Sequence, residues 1–299
     1  MKKGYIFVLL TALVSGVSIF LNKFGVTGID PYIFTFAKNA LVALLLLSSV
    51  FLFREIETLK SLTAKQWGKL ATIGLIGGSI PFLLFFKGLS MAPSATAALL
   101  HKSMFIFVAI AAVFFLKEKL NKGFLVAAAF LFLGNLLLLN TTSFSFGIPE
   151  SLILLSVLFW SGETIISKNA LKELHSRIVA FGRMFFGVLF ILAFLLVTGN
   201  MSKIGAITVP QLGWIVFTSV LLFFYVTSWY AGLKLVPASS ATCVLLLGSA
   251  ITTLLSFINA GSVNIAGLAG VAFILSGVLI IIGQSFLLSQ LRILFPSKN

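Results

Sequence analysis

Five ionisable side chains stand inside long apolar runs of the sequence: Lys38, His101, Lys102, Glu163 and Arg183. An ionisable group kept from water is costly unless it has a partner or faces a water-filled cavity, so each is a candidate for handling a charged solute. Lys38 and Arg183 have several apolar residues on either side. Two cations converging on one cavity would suit a carboxylate or a phosphate. Alternatively, one of them pairs with Glu163 and locks two helices together. Glu163 is also a group that can load and release protons, which makes it a candidate for proton coupling. His101 and Lys102 are consecutive, and successive helical positions point about 100° apart, so the two cannot face one surface equally. Replacing Lys38 or Arg183 with Met is expected to remove flux of anionic solutes without unfolding the chain.

Aromatic residues add a second kind of surface. Trp160, in mid-run, and Tyr225 are candidates for a cavity wall against an amphipathic solute. Trp229 and Tyr230, nearer the end of their run, read as anchors at the membrane interface. Lys23 and Lys168 lie near run ends, where a long side chain can reach water.

Enzymatic chemistry is not supported by the inventory. Asp30 is the sole Asp and lies in a turn, the only histidines are His101 and His175, and Cys243 stands alone. Paired carboxylates, HExxH and GxSxG are absent, as is the GxxxxGK[ST] loop that would cradle a nucleotide. Clustered metal ligands are missing too, so neither metal nor cofactor is expected. A channel would need a ring of charges or a filter-like loop, and the sequence offers neither.

The elements that must position these residues are membrane helices. The 299 residues are 60% hydrophobic and 9% charged, with a mean hydropathy of +1.16. The net charge of +14 would point to nucleic acid in a soluble chain. Here most basic residues fall in short loops and report topology instead, so a lipid bilayer and a small-molecule substrate are the expected partners, and nucleic acid is not. Runs at about 4–23, 31–53, 67–87, 93–116, 123–140, 149–168, 178–198, 211–233, 238–258 and 267–288 are each long enough to span a bilayer as a helix. With the N-terminus in the cytoplasm, only Lys87 and Lys203 among the loop cations fall outside, which places both termini inside.

The halves superpose. An offset of 145 residues pairs Lys23 with Lys168 and Lys38 with Arg183. Further along, an offset of 144 pairs Gly88-Leu89 with Gly232-Leu233, Pro93 with Pro237, Ala97 with Ala241 and Gly123 with Gly267. Five helices per copy is odd, so the second copy enters from the opposite face, an arrangement typical of secondary transporters. The expected fold is an all-α integral membrane protein of ten transmembrane helices in two inverted five-helix repeats. The repeats cover residues 1–142 and 143–290, followed by a cytoplasmic tail at 291–299. Pro93 and Pro237 can occupy a first helical turn, and with Gly88 and Gly232 they read as hinge and packing positions.

Several of these residues resemble the drug/metabolite transporter superfamily, in the form of a chain with two EamA-type domains. In the first half the resemblance rests on Gly16, Lys23, Lys38, the segment from Lys87 through Pro93 to Ala98, and Leu116-Lys117-Glu118-Lys119-Leu120. In the second it rests on Trp160, Arg183 and the segment from Tyr230 through Pro237 to Ala241. Two positions depart from the pattern: Ala260-Gly261-Ser262 lacks the acid matching Glu118, and Ser15 stands opposite Trp160. The resemblance implies a multi-pass carrier of a prokaryotic cytoplasmic membrane, with its cavity between the repeats. Its solutes would be small amphipathic metabolites such as amino acids, moved by alternating access, with export favoured and with proton or counter-substrate coupling. Drug, organic-anion or lipid-linked-substrate carriers share the architecture.

Overall fold

The structure is a computed structural model that describes residues 2–139 and 146–294. The expected repeat boundary at 142/143, Lys298 and residues 295–299 of the tail lie outside the described residues. Every regular element described is a helix. In chain order the long ones are α1 (Lys2–Val26), α2 (Pro31–Leu52), α3 (Ala64–Met91), α4 (Ser94–Leu116), α5 (Lys122–Leu139), α6 (Ile148–Ala170), α7 (Ser176–Val197), α8 (Val209–Leu235), α9 (Ala238–Ala260) and α10 (Ile265–Leu294). Among the described residues nine of them are long and apolar enough to cross a membrane, and α5 is a shorter apolar helix. The chain is a multi-pass membrane protein.

Local signals in the sequence set where several helices begin. The Asp30 carboxylate accepts from the Tyr32 and Ile33 amides, with Pro31 in the first turn of α2. That caps two amides which otherwise have no partner within the helix. Thr63 with Gln66 begins α3 as a reciprocal capping box, and at the start of α8 the Gln211 side chain accepts from the Thr208 amide.

Three helices differ from the uninterrupted spans expected. In α3 the stretch Gly74–Ser79 is a π-helical turn, whereas α8 is α-helical throughout. Glycine permits that turn because α3 and α7 touch there: a Cβ on Gly78 would lie 2.1 Å from the Arg183 carbonyl oxygen. Helices α4 and α9 are each broken in mid-course, α4 at Ser103 and α9 at Leu246. Pro93 and Pro237 also differ from the first-turn placement. Each is the N-cap, with ψ of 145° and 144°, and its carbonyl accepts the first helical bond, from Ala97 and Ala241.

Packing pairs the two halves reciprocally. Gly88 on α3 lies against Pro149 and Ile153 of α6, and Gly232 on α8 lies against Gly4 and Val8 of α1. A methyl group on either would fall within 2.6 Å of a neighbouring side chain, so only glycine allows these crossings. Outside this core, α5 and α10 cross at Gly134 and Gly270. The interior left between α1–α4 and α6–α8 holds the polar side chains.

Candidate functional site

A cavity lies between the halves, and Lys38, His101, Trp160, Glu163, Arg183 and Tyr225 all contribute to its wall. Six residues chosen from five different helices therefore meet at one place. Lys102, the neighbour of His101, does not join them: its ammonium donates to Ser15 Oγ at 2.6 Å beside Gly248 of α9. The 100° step between consecutive helical residues accounts for that split.

The π-helical turn organises the wall on the α3 side. The Gly77 carbonyl accepts from Trp160 Nε1 at 2.9 Å and from Arg183 Nη2 at 3.0 Å, while the Gly78 carbonyl accepts from Asn39 Nδ2 at 3.3 Å. Four residues after Gly77 stands Pro81, which has no amide hydrogen to give it, and the π turn shifts the register at Gly78, so both carbonyls are left to side chains. Gly77 must remain without a side chain, because a Cβ there would meet Glu163 Cγ at 2.3 Å.

Glu163 is 1% exposed, and its described hydrogen bonds all end on Oε1, which accepts from Tyr230 OH at 2.5 Å and from Ser167 Oγ. It forms no ion pair with Lys38 or Arg183, the alternative left open by sequence. Arg183 stacks beside aromatic rings, with its guanidinium carbon 5.5 Å from the Phe82 centroid and 5.8 Å from that of Tyr230. Its Nε is buried without a hydrogen-bond partner. Lys38, also 1% exposed, donates to Asn22 Oδ1 at 3.1 Å and lies 3.6 Å from the Phe86 ring centroid, a cation–π contact. His101 packs edge-on to Trp160 with centroids 4.8 Å apart, and its Nδ1 has no partner.

Two aromatic residues are corrected by the structure. Trp229 and Tyr230 are 2% and 0% exposed, so neither is an interfacial anchor. Trp229 lines the cavity and Tyr230 holds Glu163. They are buried because α8 runs on to Leu235 and packs along α1, which carries both residues well inside the bundle. Phe82, Phe85 and Phe86, unremarked among 32 phenylalanines, complete the apolar wall. Their spacing of three and four residues puts them on one helical face.

Lys23 and Lys168, both half-buried, also reach backbone. Lys23 Nζ donates to the carbonyls of Leu89 and Ser90 at the end of α3, at 3.0 and 3.1 Å. Lys168 Nζ donates to those of Leu233 and Val236 at the end of α8, at 2.6 and 2.7 Å. A cation at a helix C-terminus meets carbonyls that have no amide partner, so each lysine fastens the chain just ahead of Pro93 or Pro237.

Known proteins place the chain. A crystal structure of a protein 15% identical to it superposes with a TM-score of 0.76, covering 96% of this chain and 98% of that one, and so shares its fold. An uncharacterized transporter from Clostridium kluyveri is 28% identical over 291 residues, which are 94% of this chain and 93% of that protein. The model of the EamA-like transporter family matches twice, over residues 2–140 and 147–283. With both halves matched and a cavity between them, the chain belongs to the EamA-like transporter family.

Proposed function

We propose that the chain is a secondary-active carrier of small amphipathic metabolites, with amino acids as the substrate class. One observation carries this reading: Arg183 and Glu163 share a cavity wall without pairing to each other. Arg183 is tied to the Gly77 carbonyl and keeps Nε free, while Glu163 is tied through Oε1 to Tyr230 and Ser167. A zwitterion would give its carboxylate to Arg183 and its ammonium to Glu163, and Phe82, Phe85 and Trp160 would receive an apolar side chain. Opposite charges kept apart by neutral partners suit a solute that bridges them.

The architecture that goes with this reading is ten spans in two inverted repeats, with both termini cytoplasmic in a prokaryotic cytoplasmic membrane. The reciprocal glycine crossings and the matching Lys23 and Lys168 contacts support it, because a pseudo-twofold exchange of halves would generate each from the other. Export is the favoured direction, and Glu163 is the favoured coupling group. The test is counterflow of labelled amino acids into proteoliposomes holding the purified protein, with and without a pH gradient. Saturable counterflow is expected. If no amino acid moves while organic anions or lipid-linked substrates do, the substrate class is wrong.

A further inference from the structure

The two proline junctions carry the same lysine contact but differ in one acid. At the Pro237 junction, Glu118 reaches across from the end of α4 to the start of α9. Its Oε1 accepts from the Ala238 amide at 2.7 Å, and its Oε2 accepts from the Ser239 amide at 3.1 Å and the Ser239 hydroxyl at 2.5 Å. Lys117, in the left-handed region with φ of 56°, turns the chain so that Glu118 points there. The turn recurs at the other junction: Gly261, with φ of 64°, ends α9 just as Lys117 ends α4. Its successor is Ser262, too short to span the gap. Ser262 makes no described side-chain hydrogen bond to the start of α4, and it borders an open crevice with Asn264 and Ile265. The nearest link there is a 3.5 Å contact between the hydroxyls of Ser94 and Ser256.

We propose that Glu118 is a latch that closes the Pro237 end of the molecule, and that the missing acid at Ser262 leaves the Pro93 end without one. Alternating access requires the start of α9 to part from the end of α4 when the Pro237 end opens, and the start of α4 to part from the end of α9 when the other end opens. A carboxylate held by two amides and a hydroxyl stabilises the first closure. Among the described residues the second closure has nothing comparable. The resting chain therefore favours the state closed at the Pro237 end, which the carrier reading above places in the cytoplasm. The proposal rests on that reading for its sidedness alone.

The experiment is distance measurement by electron spin resonance on full-length protein in nanodiscs, without substrate. Cysteine pairs K122C/K172C at the Pro237 end and T27C/V263C at the opposite end carry the labels; Cys243 is buried and stays unlabelled. In E118A the ratio of open to closed at the Pro237 end is expected to rise about tenfold or more, the scale of one hydrogen bond to a charged group, while E118Q shifts it less. S262E is expected to shorten the distances at the opposite end, and it carries the test if E118A fails to fold. Unchanged distributions in E118A and S262E, or equal loosening at both ends, would overturn the latch. A latch that fails while counterflow persists sinks this proposal alone. A latch that holds in a protein moving no solute sinks the carrier reading alone.

Discussion

Arg183 offers the most direct test of how the cavity reads a solute. Its Nη2 is spent on the Gly77 carbonyl and its buried Nε has no hydrogen-bond partner, so a substrate carboxylate that reaches Nε would gain one charge-assisted hydrogen bond there. Such a bond contributes about 1.5–3 kcal/mol, or about 10- to 150-fold in affinity. Arg183→Met removes it, and the Gly77 carbonyl keeps Trp160 as a donor, so no backbone group is orphaned. Glu163 likewise keeps Tyr230 and Ser167, and the fold is expected to survive. Arg183→Lys retains charge but loses the planar fork that serves Gly77 and a solute at once, and is expected to recover part of the affinity. The assay is counterflow KM for an amino acid beside the amine lacking its carboxyl. The amino acid should lose at least tenfold in the Met variant, with Lys intermediate, while the amine is unaffected. Lys38→Met should lower anion flux as well. A Met variant whose KM for the carboxylate stays within about twofold of the parent would refute the argument, since no hydrogen bond to charge is worth so little.

Three further outcomes follow from the same geometry. Glu163→Gln should leave exchange intact while abolishing its response to an imposed pH gradient; an unchanged response in counterflow removes the coupling role. Gly77→Ala should lower stability by about 1–3 kcal/mol through overpacking against Glu163, whereas Gly68→Ala, on an exposed and open face of the same helix, should be neutral or stabilising, both read by thermal unfolding in detergent. At Asp30, burial pushes the carboxyl up, but the hydrogen bond from Lys203 and those from the Tyr32 and Ile33 amides outweigh it and hold it below the usual carboxylate range. A lowered folded value means the charge-linked part of this stabilisation is fully present at neutral pH and fades as pH falls from about 4 through the folded value. Asp30→Ala should cost about 1 kcal/mol at pH 7 and less as acid is added, while Asp30→Asn, still a good cap, should keep most of the stability and lose that pH dependence.

What the sequence made legible is what depends on long runs and on rare residues. Ten apolar runs, the Lys23/Lys168 and Lys38/Arg183 pairs and the two Pro-small-small segments all stand out because charge and proline are scarce in this chain. What the sequence hides depends on packing between helices. Distance from a run's end places Tyr230 at the interface, yet its hydroxyl is fixed by Glu163, a residue 67 positions away. The π turn is written in Gly74, Gly77 and Gly78, but glycines are frequent in membrane helices, and what explains these three is the close approach of Phe186, Glu163 and the Arg183 backbone respectively. The Phe82, Phe85 and Phe86 face was hidden by abundance: among 32 phenylalanines, apolar periodicity cannot separate a cavity wall from a lipid-facing one.

The π turn also leaves a trace in the history of the gene. Thr63 and Gln66, which begin α3, match Thr208 and Gln211 at an offset of 145, as Lys38 matches Arg183. By Gly88 the offset has become 144. One residue has thus been gained by the first copy, or lost by the second, between Gln66 and Gly88, and the six-residue π turn at Gly74–Ser79 is where the helix absorbs it. Just past the same turn stands Pro81, whose counterpart 144 residues on is Tyr225; it denies the Gly77 carbonyl an amide partner in the first copy alone, and the side chains that take that place, Trp160 and Arg183, both belong to the second.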